Sequence, residues 1–206
     1  GIGQTQVNNK TGYTFAKGLR AILRQDPDIV MVGEMRDIET AQIGIQSSLT
    51  GHLVLSTVHT NSAVAAITRL RDMGIESFLL ASSLRTIISQ RLVRRLCPHC
   101  KTKDKPSIKS IDIFGLDKNK SVYSAKGCDE CNHTGYQGRI AIAECIQIDK
   151  TLKDFIHNNA SENEISEYVF KDNQSIDQAS VDLITSGVTS CEEIIRINNI
   201  QEDASI

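Results

Sequence analysis

The sequence predicts an α/β fold with parallel strands. Two short strand-like runs, "IVMV" and "HLVLST", the first apolar throughout, each lie between segments of helical spacing, and glycine or proline separates the pieces. Helix, strand, helix, strand, helix is the rhythm of a layered α/β unit. Its end, near residue 96, coincides with a change to Cys-, Lys-, Gly- and Ser-rich sequence.

Residues 14–24, "TFAKGLRAILR", bring Phe15, Leu19, Ile22 and Leu23 to one side of a helix, and Pro27 ends it. The run 29–32 reads as a strand covered on both faces, because it is apolar throughout. Asp37 opens a second helix with Ile38, Ala41, Ile45 and Leu49 inward and Gly51 as its stop. After the strand in "HLVLST", Ser62 caps a helix that ends at Gly74. A longer helix is expected from about Ser77 to Leu96. Residues 97–138 lack a helical period, and "GRIAIAECIQI" returns to a strand pattern. From Thr151 the chain reads as helical, with capping boxes at Ser161/Glu164 and Ser190/Glu193 and a stop at Gly187.

Composition narrows the function. The 206 residues carry 23 Lys+Arg against 25 Asp+Glu, and only 4% are aromatic without a tryptophan. That disfavours a nucleic-acid motor, which needs a basic face and stacking rings. No apolar stretch reaches the roughly 20 residues of a membrane span, and no leader precedes the first helix. Starting at Gly1 inside a Gly/Gln/Thr-rich loop, the chain reads as a piece of a longer protein.

Polar residues gather beyond two strand ends, "GEMRD" and "STVHTN". In open α/β sheets ligands sit outside the carboxyl ends of strands, so Glu34 and His59 are candidates for one site. Phosphoryl-transfer chemistry needs an acidic group to orient water or hold Mg²⁺ through water, and a donor to sense the γ-phosphate. Glu34 suits the first role; Thr57, His59 and Asn61 are candidates for the second. Arg20 and Arg24, a helical turn apart, suit phosphate charge across a subunit boundary. Taken singly, each has an ordinary explanation: a solvated turn for Glu34, Arg36 and Asp37, a loop histidine for His59, and the wet face of a helix for the arginines. His52 reads as structural. A phosphate loop of the form G-x-x-x-x-G-K-[ST] is missing, since "GLDKNKS" lacks the second glycine and its strand–helix setting.

Cys97, Cys100, Cys128 and Cys131 form "CPHC" and "CDEC". Two such pairs complete a tetrahedral S₄ set suited to Zn²⁺, closed to substrate and therefore structural. The metal would staple an insertion too polar to bury its own core. His99 and His133 are second-choice ligands, and Cys145 and Cys191 read as packing residues.

Long runs, "GIGQTQVN", "FAKGLRAILRQDPDIVMVGEMRD", "TAQIGIQSSLTGHLVLSTVHTNSAVAAITRLRDMG" and "QRLVRRLCPHC", resemble secretion ATPases of the GspE/PilB type, the motors of type II secretion and type IV pilus assembly. The resemblance implies a partial RecA-like P-loop ATPase domain, with the phosphate loop and an acidic box upstream. It makes "DIVMVGE" the Walker B strand and "STVHT" the histidine box. Gly33 stands where many P-loop NTPases carry an Mg²⁺-directing Asp, so the acidic duty falls to Glu34. Arg20, Arg24, Arg36 and Thr57 become nucleotide-binding or intersubunit candidates.

The implied organisation is an ATPase part over 1–96, a tetracysteine zinc subdomain over 97–138, and a strand return with a C-terminal helical subdomain over 139–206. The implied cofactors are ATP, Mg²⁺ and Zn²⁺. The implied partners are other copies in a hexameric ring, an inner-membrane platform and cytoplasmic adaptor proteins, with no nucleic acid. The setting is cytoplasmic, peripheral at the inner membrane. The tetracysteine element favours secretion or pilus extension over pilus retraction. Two alternatives stand beside type II secretion: a type IV pilus extension ATPase and, for the isolated piece, a non-catalytic zinc-containing interaction module.

Overall fold

The computed structural model describes residues 1–203. The chain packs as two units: Gly1–Ile87 with Ile146–Lys171, and Ile88–Cys145 with Asp172 onward.

In the first unit, α1 (Phe15–Leu23) starts at Thr14, whose side chain accepts the Lys17 N–H. Strand β1 (Ile29–Val32) pairs in parallel with β2 (Leu53–Ser56), in the register Val30↔Val54 and Val32↔Ser56. Between them lies α2 (Ile38–Leu49), capped by Asp37, which accepts the Thr40 N–H at 2.8 Å. This is the strand–helix–strand crossover that parallel pairing requires.

The sheet is covered on one face only. Val30 and Val32 are buried beside Leu19, Phe15 and Ile22, whereas Ile29, Met31, Leu53 and Leu55 are exposed. The expectation of two covered faces is therefore corrected: side chains alternate across a strand, and the helices of this chain meet just one set. Helix α2 departs in the same way, burying Ala41 and Ile45 but leaving Ile38 and Leu49 exposed.

Helices α3 (Ala63–Asp72), α4 (Ser77–Ser83), α6 (Lys150–His157) and α7 (Glu162–Val169) build the main core, around Ile67, Leu80, Ile146, Leu152, Ile156 and Ile165. Ser62 caps α3, and Gly74 follows it with positive φ. Arg71 reaches from α3 to the carbonyls of Ile156 and Ala160, both at 2.9 Å. Those oxygens lie at the end of α6, where carbonyls lack helical partners and a cation complements the dipole.

The long helix expected over 77–96 does not form. Helix α4 ends at Ser83, and Thr86–Leu96 is strand β3, paired with β6 (Tyr136–Gln147). Burial alternates along β3, with Ile87, Ser89, Arg91 and Val93 on the sheltered side. β-Branched Thr86, Ile87, Ile88 and Val93 favour that state once a partner strand is present. In β6 the even-numbered residues Ile140, Ile142, Glu144 and Ile146 face inward. Cys145 is consequently exposed rather than packed.

The second unit holds β3 and β6 for most of their length, the short antiparallel pair β4 (Thr102–Asp104) and β5 (Val122–Ser124), and helices α5 (Ile108–Phe114), α8 (Ile176–Thr185) and α9 (Cys191–Asp203). Helix α5 corrects the expectation that 97–138 has no helical stretch; its N-cap is Ser107. Leu116 and Val122, from the same insertion, are buried with Val93, Ile142, Ile184, Cys191 and Ile194. The insertion thus shares an apolar core with α8 and α9 rather than depending on a metal alone.

The Ser161/Glu164 box forms as expected, and an unexpected one forms at Ser175/Gln178. At Ser190 only half of the box is made: the Ser190 hydroxyl accepts the Glu193 N–H at 3.2 Å. The Glu193 side chain is fully buried and turns instead to Arg94 and Arg196, with Oε2–Nη2 2.6 Å and Oε1–Nη2 2.8 Å. It also accepts the Arg94 backbone N–H at 3.0 Å. Burial alone would raise the Glu193 pKa, but the hydrogen bonds from Arg196 and Arg94 outweigh it and bring the value down to about 2.

Because this folded value lies below the usual 4.5, the stabilisation from Glu193 is complete above pH ~4.5 and declines as pH falls towards ~2. Glu193→Ala should cost about 1–3 kcal/mol near neutrality by taking the acceptor from the Arg94 N–H and from two half-exposed guanidinium groups, and should flatten stability between pH 5 and 2; urea unfolding across that range reads both effects.

Candidate active site and candidate metal centre

Beyond the carboxyl ends of β1 and β2 the chain makes two short excursions. One carries Glu34 and Arg36, the other Thr57 and His59. The parallel register Val32↔Ser56 sets the two excursions side by side. The Met35 N–H then donates to the Thr57 carbonyl at 3.0 Å, and the Thr57 hydroxyl donates to the Gly33 carbonyl at 2.6 Å.

Glu34 is the focus. Its side chain is 16% exposed, with Oε2 accepting from Arg36 Nε at 2.5 Å and Oε1 lying 3.1 Å from His59 Nε2. Arg36 and His59 themselves are open to solvent, at 72% and 85%. The sheltered carboxylate is therefore contacted on both oxygens by side chains that are themselves largely exposed.

The structure thus brings Glu34, His59, Arg36 and Thr57 together. It places Arg20 elsewhere, on Glu39 at 2.8 Å, with both partners about half exposed. Arg24 is exposed at the C-cap of α1. His52 has a local role, with Nδ1 3.0 Å from the Ser47 carbonyl.

Near Glu34 no divalent-cation cage exists among the described residues; the one group that qualifies as a metal site is the cysteine cluster. Both Glu34 oxygens are engaged, and Gly33 brings no side chain. The residues here do not by themselves fit a directly ligated Mg²⁺.

The four cysteines converge. Their Sγ atoms all lie within 4.8 Å of one another, with Cys97–Cys128 at 3.9 Å and both Cys100–Cys131 and Cys128–Cys131 at 3.8 Å. A tetrahedron with Zn–S bonds of ~2.3 Å has edges of roughly 3.8 Å, so the spacing fits zinc. Cys97, Cys100 and Cys131 are buried and Cys128 is half-buried.

The knuckle peptides already point donors at sulfur: Cys131 Sγ accepts from the N–H groups of Cys128 at 3.3 Å and Gly135 at 3.2 Å. Burial tends to raise the Cys131 pKa, but these N–H groups prevail and bring it to about 6. Burial and the neighbouring thiols push Cys128 up to about 12. A bound cation would favour the thiolate form of all four sulfurs. His133 lies outside the cluster, 3.1 Å from Asp129, so four sulfurs make the whole set.

The second knuckle depends on backbone that other residues resist. Asn132 and His133 both have positive φ, at 49° and 59°. At Gly127 (φ 96°) a Cβ would meet the His133 carbonyl oxygen at 2.6 Å. Sequence spacing found the sulfurs but not this requirement, whose sole signal was the glycine beside Cys128.

The α/β fold is shared with a solved pilus retraction motor and a solved ATPase. The pilus retraction motor PilT with bound ADP superposes with a TM-score of 0.61 and 27% identity, over 87% of this chain and 42% of that one. The Legionella pneumophila ATPase DotB, at 22% identity, shares the fold with a TM-score of 0.62 over 92% of this chain and 44% of that one. The chain belongs to the family described as Type II/IV secretion system protein, whose profile matches residues 1–196. It is 52% identical over 199 residues to the Type II secretion system ATPase E of Vibrio cholerae, and 51% identical to the Type II secretion system protein E of Aeromonas hydrophila. In both comparisons it covers 96% of itself and 40% of the relative.

Gly127→Ala should destabilise the second unit by about 1–3 kcal/mol through a forced αL backbone and a steric clash. It should also speed modification of the four clustered thiols by a thiol reagent, whereas Cys145, already exposed, reacts at an unchanged rate.

Proposed function

We propose that this chain is the C-terminal part of a secretion ATPase that couples ATP hydrolysis to pseudopilus assembly and protein export. The observation that carries the reading is the meeting of Glu34 and His59, 3.1 Å apart beyond adjacent parallel strand ends. The names of the type II secretion relatives support that branch over pilus extension. The ADP in the PilT structure supports a nucleotide as the ligand of this edge.

In the proposed reaction the Glu34 carboxylate orients the attacking water and accepts its proton as attack proceeds. His59 sits where a donor can follow the γ-phosphate and, through Glu34 Oε1, report its loss. Arg36 holds the carboxylate in its resting arrangement and must release Oε2 for water to enter. Arg20 and Arg24, exposed along α1, are proposed for subunit boundaries. No step is assigned to Mg²⁺ through this chain.

The three-part division made from sequence is retained as a functional map. Residues 1–96 are proposed to carry the hydrolytic edge, 97–138 the metal, and 139–206 the strand return and C-terminal helical subdomain. The full-length protein is proposed to form a hexameric ring at the cytoplasmic side of the inner membrane, against a membrane platform and adaptor proteins. No helix among the described residues is long and apolar enough to cross a membrane. Zn²⁺ is proposed for the Cys₄ site, as a structural ion that would neutralise the crowded thiolates.

In the full-length protein Glu34→Gln should lower ATP turnover at least about 100-fold, the scale of a lost general base, with nucleotide affinity within a few-fold of the parent; near-normal turnover would refute the assignment. Elemental analysis should find one zinc per chain. Chelation should then raise amide exchange around the knuckles, and a fully protected metal-free protein would contradict the centre.

A further inference from the structure

We infer that Thr57 is a positioning residue for Glu34, acting through the backbone rather than by touching nucleotide; this rests on the proposed role of Glu34. Strand β1 ends at Val32, and the next residue is a glycine, the residue with the most backbone freedom to lose. A carboxylate carried on such a hinge would sample many positions. Thr57 restrains the turn from both sides. Its hydroxyl donates to the Gly33 carbonyl at 2.6 Å, and its carbonyl accepts the Met35 N–H at 3.0 Å. One residue therefore bonds to the neighbour before Glu34 and to the neighbour after it.

The alternative role, a hydroxyl offered to a phosphate oxygen, competes with this bond. The Thr57 hydroxyl has a single proton, and that proton is on the Gly33 carbonyl. Thr57 is also two residues before His59, so the same strand extension sets both partners of the 3.1 Å Glu34–His59 contact. Loss of the hydroxyl leaves the backbone pairing in place and frees the Gly33 peptide. The carboxylate then drifts while the nucleotide's own contacts are untouched.

The test uses the full-length ATPase with Thr57→Val, which keeps the shape and removes the hydroxyl, and Thr57→Ser, which keeps the hydroxyl. Thr57→Val should lower kcat by about 10- to 100-fold, the effect of a misplacement near 1 Å, with KM for ATP within about twofold. Thr57→Ser should recover kcat to within about threefold of the parent, and Thr57→Val should add nothing in a Glu34→Gln background. The inference is overturned by a Thr57→Val variant with parental kcat, by one whose main change is a rise in KM, or by a Thr57→Ser variant as slow as Thr57→Val. Glu34→Gln alone separates the two claims. If it retains turnover, the underlying assignment of Glu34 fails; if it loses turnover while Thr57→Val does not, this inference fails by itself.

Discussion

The parallel pairing of β1 with β2 is the constraint on which the meeting of Glu34 and His59 depends. Four residues from each strand meet in one register, Ile29↔Leu53 to Val32↔Ser56. A parallel register brings both carboxyl ends to the same edge, so the segments leaving the two strands must share space. Glu34 comes two residues after Val32, and His59 three residues after Ser56. Their contact is a consequence of register and chain direction. An antiparallel pair of the same sequences would have sent them to opposite edges.

So short a sheet is marginal by itself. The helices supply what it lacks, since Leu19, Phe15 and Ile22 pack on the face that presents Val30 and Val32. Asp37 adds a local anchor: by capping α2 it fixes where the chain resumes helical form after the Glu34 turn. The turn is thus held at one end by a strand, at the other by a helix cap, and across its middle by Thr57. Arg36 and His59 add contacts to the carboxylate itself, one on each oxygen.

The second unit solves a different problem. Its insertion has few apolar residues, yet Leu116 and Val122 reach a core completed by α8 and α9. A buried carboxylate, Glu193, is held between Arg94 and Arg196, and Arg94 also lies over the Tyr136 ring at 4.1 Å. Tyr136 directly follows Gly135, whose N–H points at Cys131 Sγ. Knuckle, strand β6 and the start of α9 are therefore one continuous set of polar contacts, with Tyr136 Oη 2.8 Å from Ser190 Oγ.

Sequence alone determined the elements whose signals are local. Asp37, Ser62 and Ser161 announced helix starts because a capping side chain acts within three residues, and the double C-x₂-C announced a four-sulfur set. The carboxylate and the histidine were legible as residues beyond strand ends. Tertiary structure decided whatever required a partner distant in sequence. The run 86–96 became a strand because β6 was there to pair with it, and a uniformly apolar β1 could not reveal that only one face is covered here. Glu193 left its capping box because two arginines offered more to a buried carboxylate than one backbone N–H. Arg20 went to Glu39, and Thr57 to the Gly33 carbonyl, for the same reason. A side chain's partner is fixed by who is near it in space, and spacing along the chain reports that only within a helical turn.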